Sequence, residues 1–340
     1  MTEDEKKTVQ KPELVCPAGT PASLRVAVDA GADAVYCGFQ NATNARNFPG
    51  LNFTPEELRE SVHYAHRRGA KILLALNTFP PAGQTDLWKD AAGYAHAIGV
   101  DAVIVADIGV ADYIHRCYPQ MRLHLSVQAG APSVEAIRFY RESFNIRRVV
   151  LPRILTIPEI KSLHKEIGCE IETFVFGNHG LMAEGRCSLT NYVTGESTNM
   201  DGVCSPASAV NYAEDEDGNL SARLGKFTID CYSCRQSAGY PTICKGRYFA
   251  PHRDDSYYAF EEPISLNLGV LLPALIEAGV SAFKIEGRQR SKAYVEKVVS
   301  SWRRAIDSAL DGNPAAVDDL LHLTEGQKET QGAFESKKWR

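Results

Sequence analysis

Three stretches of this chain share one shape. AGADAVYCG (30–38), IGVDAVIVAD (98–107) and AGVSAFKIEG (278–287) each pass from a glycine through a polar residue and an alanine into an apolar run. Physically this is a helix that ends at a glycine cap and turns at once into a buried strand. A chain that repeats this unit builds βαβ connections and a parallel sheet. Five further apolar runs fit the same scheme, so strands are expected at 13–18, 33–39, 70–77, 101–107, 122–127, 147–153, 170–177 and 281–288. Helical patterns fill the gaps. One is marked by Thr54 as N-cap, Pro55 at the first helical position and Glu57 three residues after the cap. Eight such strands predict a TIM-like (β/α)8 barrel, with an open doubly wound sheet as the runner-up. No G-x-G-x-x-G follows the first strand, which weighs against a dinucleotide site.

The scheme breaks once. Between strands seven and eight lies a cysteine-rich insertion, residues 178–280, with little hydrophobic periodicity. It carries Cys187, Cys204, Cys231, Cys234 and Cys244, five of the nine cysteines. A long segment with so weak a pattern needs another source of order, and thiolates around a soft metal or an iron–sulfur cluster would supply it. The spacing alone does not separate a structural zinc site from a cluster. Its position puts it on the C-terminal face of a barrel, where active sites form. The remaining cysteines, Cys16, Cys37, Cys117 and Cys169, lie in or next to apolar runs and read as core fillers. The barrel domain is read as 12–310, between a flexible N-terminal tail (1–11) and a C-terminal tail (311–340).

Bulk properties exclude some classes. The net charge of −5 advertises no broad affinity for nucleic acid, which is therefore not expected as a partner. No apolar run approaches the roughly 18 residues of a membrane span, and the first residues lack the apolar core of a signal peptide. An odd number of cysteines without an export signal suggests reduced thiols in the cytoplasm. Neither H-E-x-x-H nor G-x-S-x-G is present, so a hydrolase is the weaker reading.

Arginines follow glycines at Arg186, Arg247 and Arg288. A guanidinium after a flexible residue suits a pocket for carboxylates or phosphates, although pairing with Glu184, Glu196 or Glu286 is the plainer alternative. Asn44 and Arg46, in the loop after strand two, are candidates for the same mouth. So are Asn77, Asp107, Gln128 and Arg153 at predicted strand ends.

Several stretches carry a resemblance: CPAG, GADAVY, TNARNFPGLNF, SVQA, RVVLPR, EGRC, TGES, CSPA, AGYPTICKGRY and KIEGRQRS. They resemble the peptidase U32 family over nearly the whole chain, and most closely its UbiU-type branch in oxygen-independent ubiquinone biosynthesis. The resemblance implies a [4Fe–4S] cluster on four cysteines. Three of those positions are filled here, by Cys187, Cys204 and Cys244. The fourth, seven residues before Cys187, is Gly180. Thiolate is the commoner ligand, so Cys234 is favoured as the replacement, with His179 or Cys231 as alternatives. The resemblance further implies an O2-independent hydroxylase of ubiquinone precursors, a heterodimer with a UbiV-like U32 protein, and prephenate as oxygen-donor co-substrate. Other U32 proteins imply an alternative, C5-hydroxylation of tRNA or rRNA. A zinc-stabilised docking surface is the non-enzymatic alternative, and the peptidase reading stands behind these.

Overall fold

The computed structural model describes residues 11–180, 187–196, 198, 204–236, 238–313 and 317–336. Seven strands follow one another in order: β1 (Glu13–Pro17), β2 (Ala34–Cys37), β3 (Lys71–Leu76), β4 (Ala102–Val105), β5 (Leu123–Leu125), β6 (Ile146–Val150) and β7 (Glu170–Asn178). The insertion adds β8 (Val210–Glu214), β9 (Leu220–Leu224), β10 (Phe227–Tyr232), β11 (Arg247–Tyr248), β12 (Tyr257–Tyr258) and β13 (Ser265–Asn267). The barrel then closes through β14 (Ala282–Ile285), and β15 (Glu329–Thr330) comes last. Neighbouring barrel strands are parallel throughout, and β14 lies between β1 and β7, with Ala282 opposite both Glu13 and Glu172. The eight parallel strands expected from the sequence therefore form a closed barrel.

The helices between strands are α1 (Pro21–Asp29), α2 (Pro55–His66), α3 (Asp86–Ile98), α4 (Ile108–Cys117), α5 (Val134–Phe144) and α6 (Ile157–Ile167). The insertion holds α7 (Leu189–Thr194) and α8 (Leu272–Glu277), and α9 (Lys292–Leu310) follows the last barrel strand. Thr54 and Glu57 form the reciprocal capping box at the start of α2. The glycines of the three repeats, Gly31, Gly99 and Gly279, all have positive φ, as a helix-to-strand turn of this kind requires.

Two buried regions result. Leu14, Cys16, Val35, Ile72, Val103 and Leu125 face the helices in the main core. Val15, Ala34, Tyr36, Leu73, Ala102, Ile104 and Ala282 fill the barrel interior along β1–β4 and β14. The strands β5, β6, β7 and β14 add buried polar groups: His124, Arg148, Glu172 and Lys284. Arg148 reaches Glu172 at 3.2 Å, Glu170 at 2.6 Å and Glu13 at 2.7 Å, and Lys284 reaches Glu172 at 2.6 Å. Burying those charges is tolerable only because each has an opposite partner.

The insertion supplies its own sheet, β8–β9–β10, and is joined to the barrel where β13 pairs antiparallel with the end of β7. The segment after α9 departs from the expected tail. Within residues 317–336, β15 pairs with β13, and Leu320, Ala333 and Phe334 are buried. Cys117, read as a core filler, is exposed at the end of α4, whereas Cys16 and Cys37 are buried as expected. Among the described residues, no helix is long and apolar enough to cross a membrane.

Candidate active site at the barrel mouth

The C-terminal ends of β2, β6, β7 and β14 converge on one carboxylate. Glu286, just beyond β14, sits 2.5 Å from Arg153 and 4.0 Å from Arg46. The Arg153 guanidinium also stacks over the Phe174 ring at 3.8 Å. Asn44 is wholly buried beside them and acts as a junction. Its Oδ1 accepts from Arg288 Nη1 at 2.8 Å and from the Arg46 backbone N–H at 3.0 Å, and its Nδ2 donates to Asn52 Oδ1 at 2.9 Å. Gly38 makes room for it: a Cβ there would meet the Asn44 amide at 2.4 Å. Asn77 accepts from the Ala45 backbone N–H and donates to Ser126, so it supports the same loop. Asp107 is spent on capping α4 through Val110 N–H, and Gln128 is buried nearby on the turn after β5.

The insertion brings three thiols to this mouth. Cys187 precedes α7, whose Thr190 hydroxyl donates to the Cys204 carbonyl at 2.9 Å. Ser205 donates to the Pro241 carbonyl and receives Tyr240 O–H on its own carbonyl, which ties Cys204 to the turn leading into Cys244. The thiols share one electrostatic neighbourhood. Cys204 is exposed as a residue, yet its thiol is crowded by protein atoms, and this raises its pKa, opposed by Arg46 and reinforced by Cys187 and Glu286. Cys244 is pushed up to about 11 by burial first, then by Cys204, with Lys245 opposing and Glu261 and Cys187 adding. Among the described residues, no three His, Cys, Asp or Glu side chains close around a single metal ion. A cluster is wider than an ion, and cysteine thiols are its usual donors.

His179 joins the group from the end of β7. It is wholly buried, with Nε2 at 3.7 Å from Glu261 Oε1, and the Glu261 backbone N–H donates to the Cys244 carbonyl at 3.2 Å. Burial, then Arg153 and Lys245, lowers the His179 pKa to about 4, so the ring is neutral at ordinary pH. Burial raises the Glu261 carboxyl to about 7, against the pull of Lys245. Lys245 fastens the insertion to the barrel through Asn178 at 2.6 Å and to the C-terminal segment through Glu325.

The other candidates lie apart from these contacts. Cys234 is exposed, against the β8–β9 turn where a Cβ on Gly218 would meet it at 3.3 Å. Cys231 is exposed on β10 beside Ser221. Arg247 is committed to the small sheet, with Nε bonded to buried Asp230 at 2.6 Å and Nη2 to the Cys231 carbonyl. Here the plainer expectation of a carboxylate partner holds, although the partner is Asp230. Arg186 lies outside the described residues. Sequence reasoning passed over Glu261 and Lys245; the signal available for Lys245 was its place next to Cys244, and Glu261 carried none.

Residues 19–337 match peptidase family U32. The chain belongs to that family. Bacillus subtilis tRNA hydroxylation protein P1 is 33% identical over 302 residues, which are 88% of this chain and 64% of that protein. Escherichia coli tRNA hydroxylation protein P is 30% identical over 332 residues, 93% of this chain and 72% of that protein. The chain thus spans less than two thirds of the Bacillus relative's length. The solved U32 peptidase Mk0906 shares the fold, with a TM-score of 0.50 at 12% identity, covering 86% of this chain and 98% of that one.

Proposed function

We propose that this U32 protein works in the hydroxylation of an unsaturated ring, with the chemistry placed where the three insertion thiols meet the cationic barrel mouth. The observation that carries the reading is the hydrogen bonding that ties α7, just after Cys187, to the Cys204 carbonyl and ties Ser205 to the turn before Cys244, with Arg46, Cys187 and Glu286 among the charged neighbours of the Cys204 thiol. The substrate class it favours is an RNA nucleobase, because both relatives are named for tRNA hydroxylation. That reading withdraws the expectation that nucleic acid is excluded; a net charge of −5 speaks only against broad non-specific binding.

In this reading Cys187, Cys204 and Cys244 hold a [4Fe–4S] cluster, and His179 is preferred to Cys234 as the fourth ligand. Support comes from placement: His179 is neutral, buried and one residue removed from Cys244 through Glu261, whereas Cys234 faces the Gly218 turn. A cluster would supply one-electron chemistry beside the mouth. The protein's own groups do the rest: Arg153 and Glu286 fix the rim, and Asn44 orients the two arginines.

A second reading, with a ubiquinone precursor as substrate, a UbiV-like partner and prephenate as oxygen donor, is favoured by the acidic composition and the UbiU-type sequence stretches. Mass spectrometry of nucleosides and quinones from a deletion strain separates the two. Loss of a hydroxylated tRNA or rRNA nucleoside supports the first, and loss of ubiquinone under anaerobic growth with intact nucleosides supports the second. Neither loss would end both.

A further inference from the structure

We propose that Arg288, with Arg46 beside it, seats a carboxylate group of a small-molecule ligand at the barrel mouth. Arg288 is 7% exposed, as buried as the cations of the barrel interior. The other buried cations among the described residues each have a carboxylate: Arg148 has Glu172, Lys284 has Glu172 and Arg153 has Glu286. Among the described residues Arg288 has none within ion-pair distance. Its hydrogen bond goes to the Asn44 carboxamide at 2.8 Å, and its guanidinium lies 5.5 Å from the Tyr36 ring centroid. A desolvated guanidinium left with a neutral partner is costly, and the remaining donors of its fork stay available. Burial accordingly depresses its pKa to about 10.

The surroundings select the anion. A planar carboxylate matches the guanidinium fork in two parallel bonds. Phosphate sites usually add backbone N–H groups at a helix N-terminus, and here the nearby Arg46 N–H is already taken by Asn44. Glu286 contributes negative potential at Arg288, which disfavours a dianion further. Arg46 donates from Nη1 to the Ala45 carbonyl at 3.0 Å and stands 4.0 Å from Glu286, so the rest of its fork can serve a second ligand oxygen. The inference rests on the mouth being the substrate-facing site, and it adds the ligand's charged group.

Thermal unfolding of the full chain tests it, with malonate and inorganic phosphate as probes. Malonate is expected to raise the Tm saturably, and phosphate to do so at least tenfold more weakly. Arg288→Gln should raise the Tm of the ligand-free chain, because it removes an uncompensated buried charge, and should abolish the malonate response. Arg288→Lys, which keeps the charge and loses the fork, should weaken malonate at least tenfold. An unchanged malonate response in either variant, a stronger response to phosphate, or no response to either anion overturns the proposal. None of these results bears on the hydroxylation reading, which the nucleoside and quinone profiles decide separately.

Discussion

Glu172 and Lys284 meet at 2.6 Å inside the barrel, on adjacent strands, and both are buried. Glu172 is the carboxylate that Lys284 holds, whereas Arg148 has Glu13 and Glu170 as well. Glu172→Gln therefore leaves a buried ammonium without a carboxylate, and is expected to cost about 3–5 kcal/mol. Glu172→Gln/Lys284→Met removes both charges and should fall short of the summed single costs by about 1–3 kcal/mol. Urea denaturation of the four chains measures this. Additive costs would show that the pair is not coupled.

His124 gives the barrel a pH dependence. Its Nε2 receives the Arg122 Nε–H at 3.0 Å, so the bonded form is the neutral ring. Burial first, then Arg148 and Arg122, holds its pKa well below the usual histidine value. The sign follows. The folded chain excludes a proton that the unfolded chain takes up below about pH 6.5, so stability is lost as pH falls. Between about pH 7 and pH 5 the wild type should lose about 2 kcal/mol more than His124→Gln, at about 1.4 kcal/mol per pH unit. Parallel pH profiles for the two proteins would refute the assignment.

The barrel was legible because each strand is short, apolar and introduced by its own helix stop, as in AGADAVYCG and AGVSAFKIEG. All of that information is local. The charged interior was not legible, although Glu172 and Lys284 stand in the middle of apolar strands; only closure of β14 onto β7, across the insertion, makes them partners. The same holds at the mouth. Arg46 and Arg288 were flagged from their neighbours in sequence, but Asn44 as their junction depends on contacts spanning 244 residues. The preference for Cys234 over His179 rests on thiolate being the commoner ligand and carries no information on placement, and the fold leaves Cys234 exposed against Gly218 while burying His179 beside Glu261.

The C-terminal segment illustrates the same limit, since its apolar residues are too sparse to show a period. Phe334 is nevertheless 2% exposed, and β15 extends the sheet beside β13. Phe334→Ala should cost about 3–5 kcal/mol by chemical denaturation. A cost near zero would mean that this segment adds nothing to the fold.

Gly180 offers the sharpest test of the thiol pocket. The fourth cysteine position that the resemblance implies falls on it, and a Cβ built there meets nothing within 4 Å. Its φ lies outside the left-handed range, so a side chain adds no backbone strain. A cysteine at 180 should therefore fit. If His179 substitutes for the absent thiolate, then His179→Ala should lower iron and sulfide after anaerobic reconstitution about as much as Cys187→Ala, and Cys234→Ala should leave them unchanged. Gly180→Cys placed in the His179→Ala background should restore them, because thiolate is the commoner cluster ligand. The pairing of loss and rescue distinguishes a ligand from a merely buried histidine: a packing defect at 179 has no reason to be repaired by a thiol next door. Iron lost in Cys234→Ala and retained in His179→Ala would return the fourth position to the C-x-x-C pair.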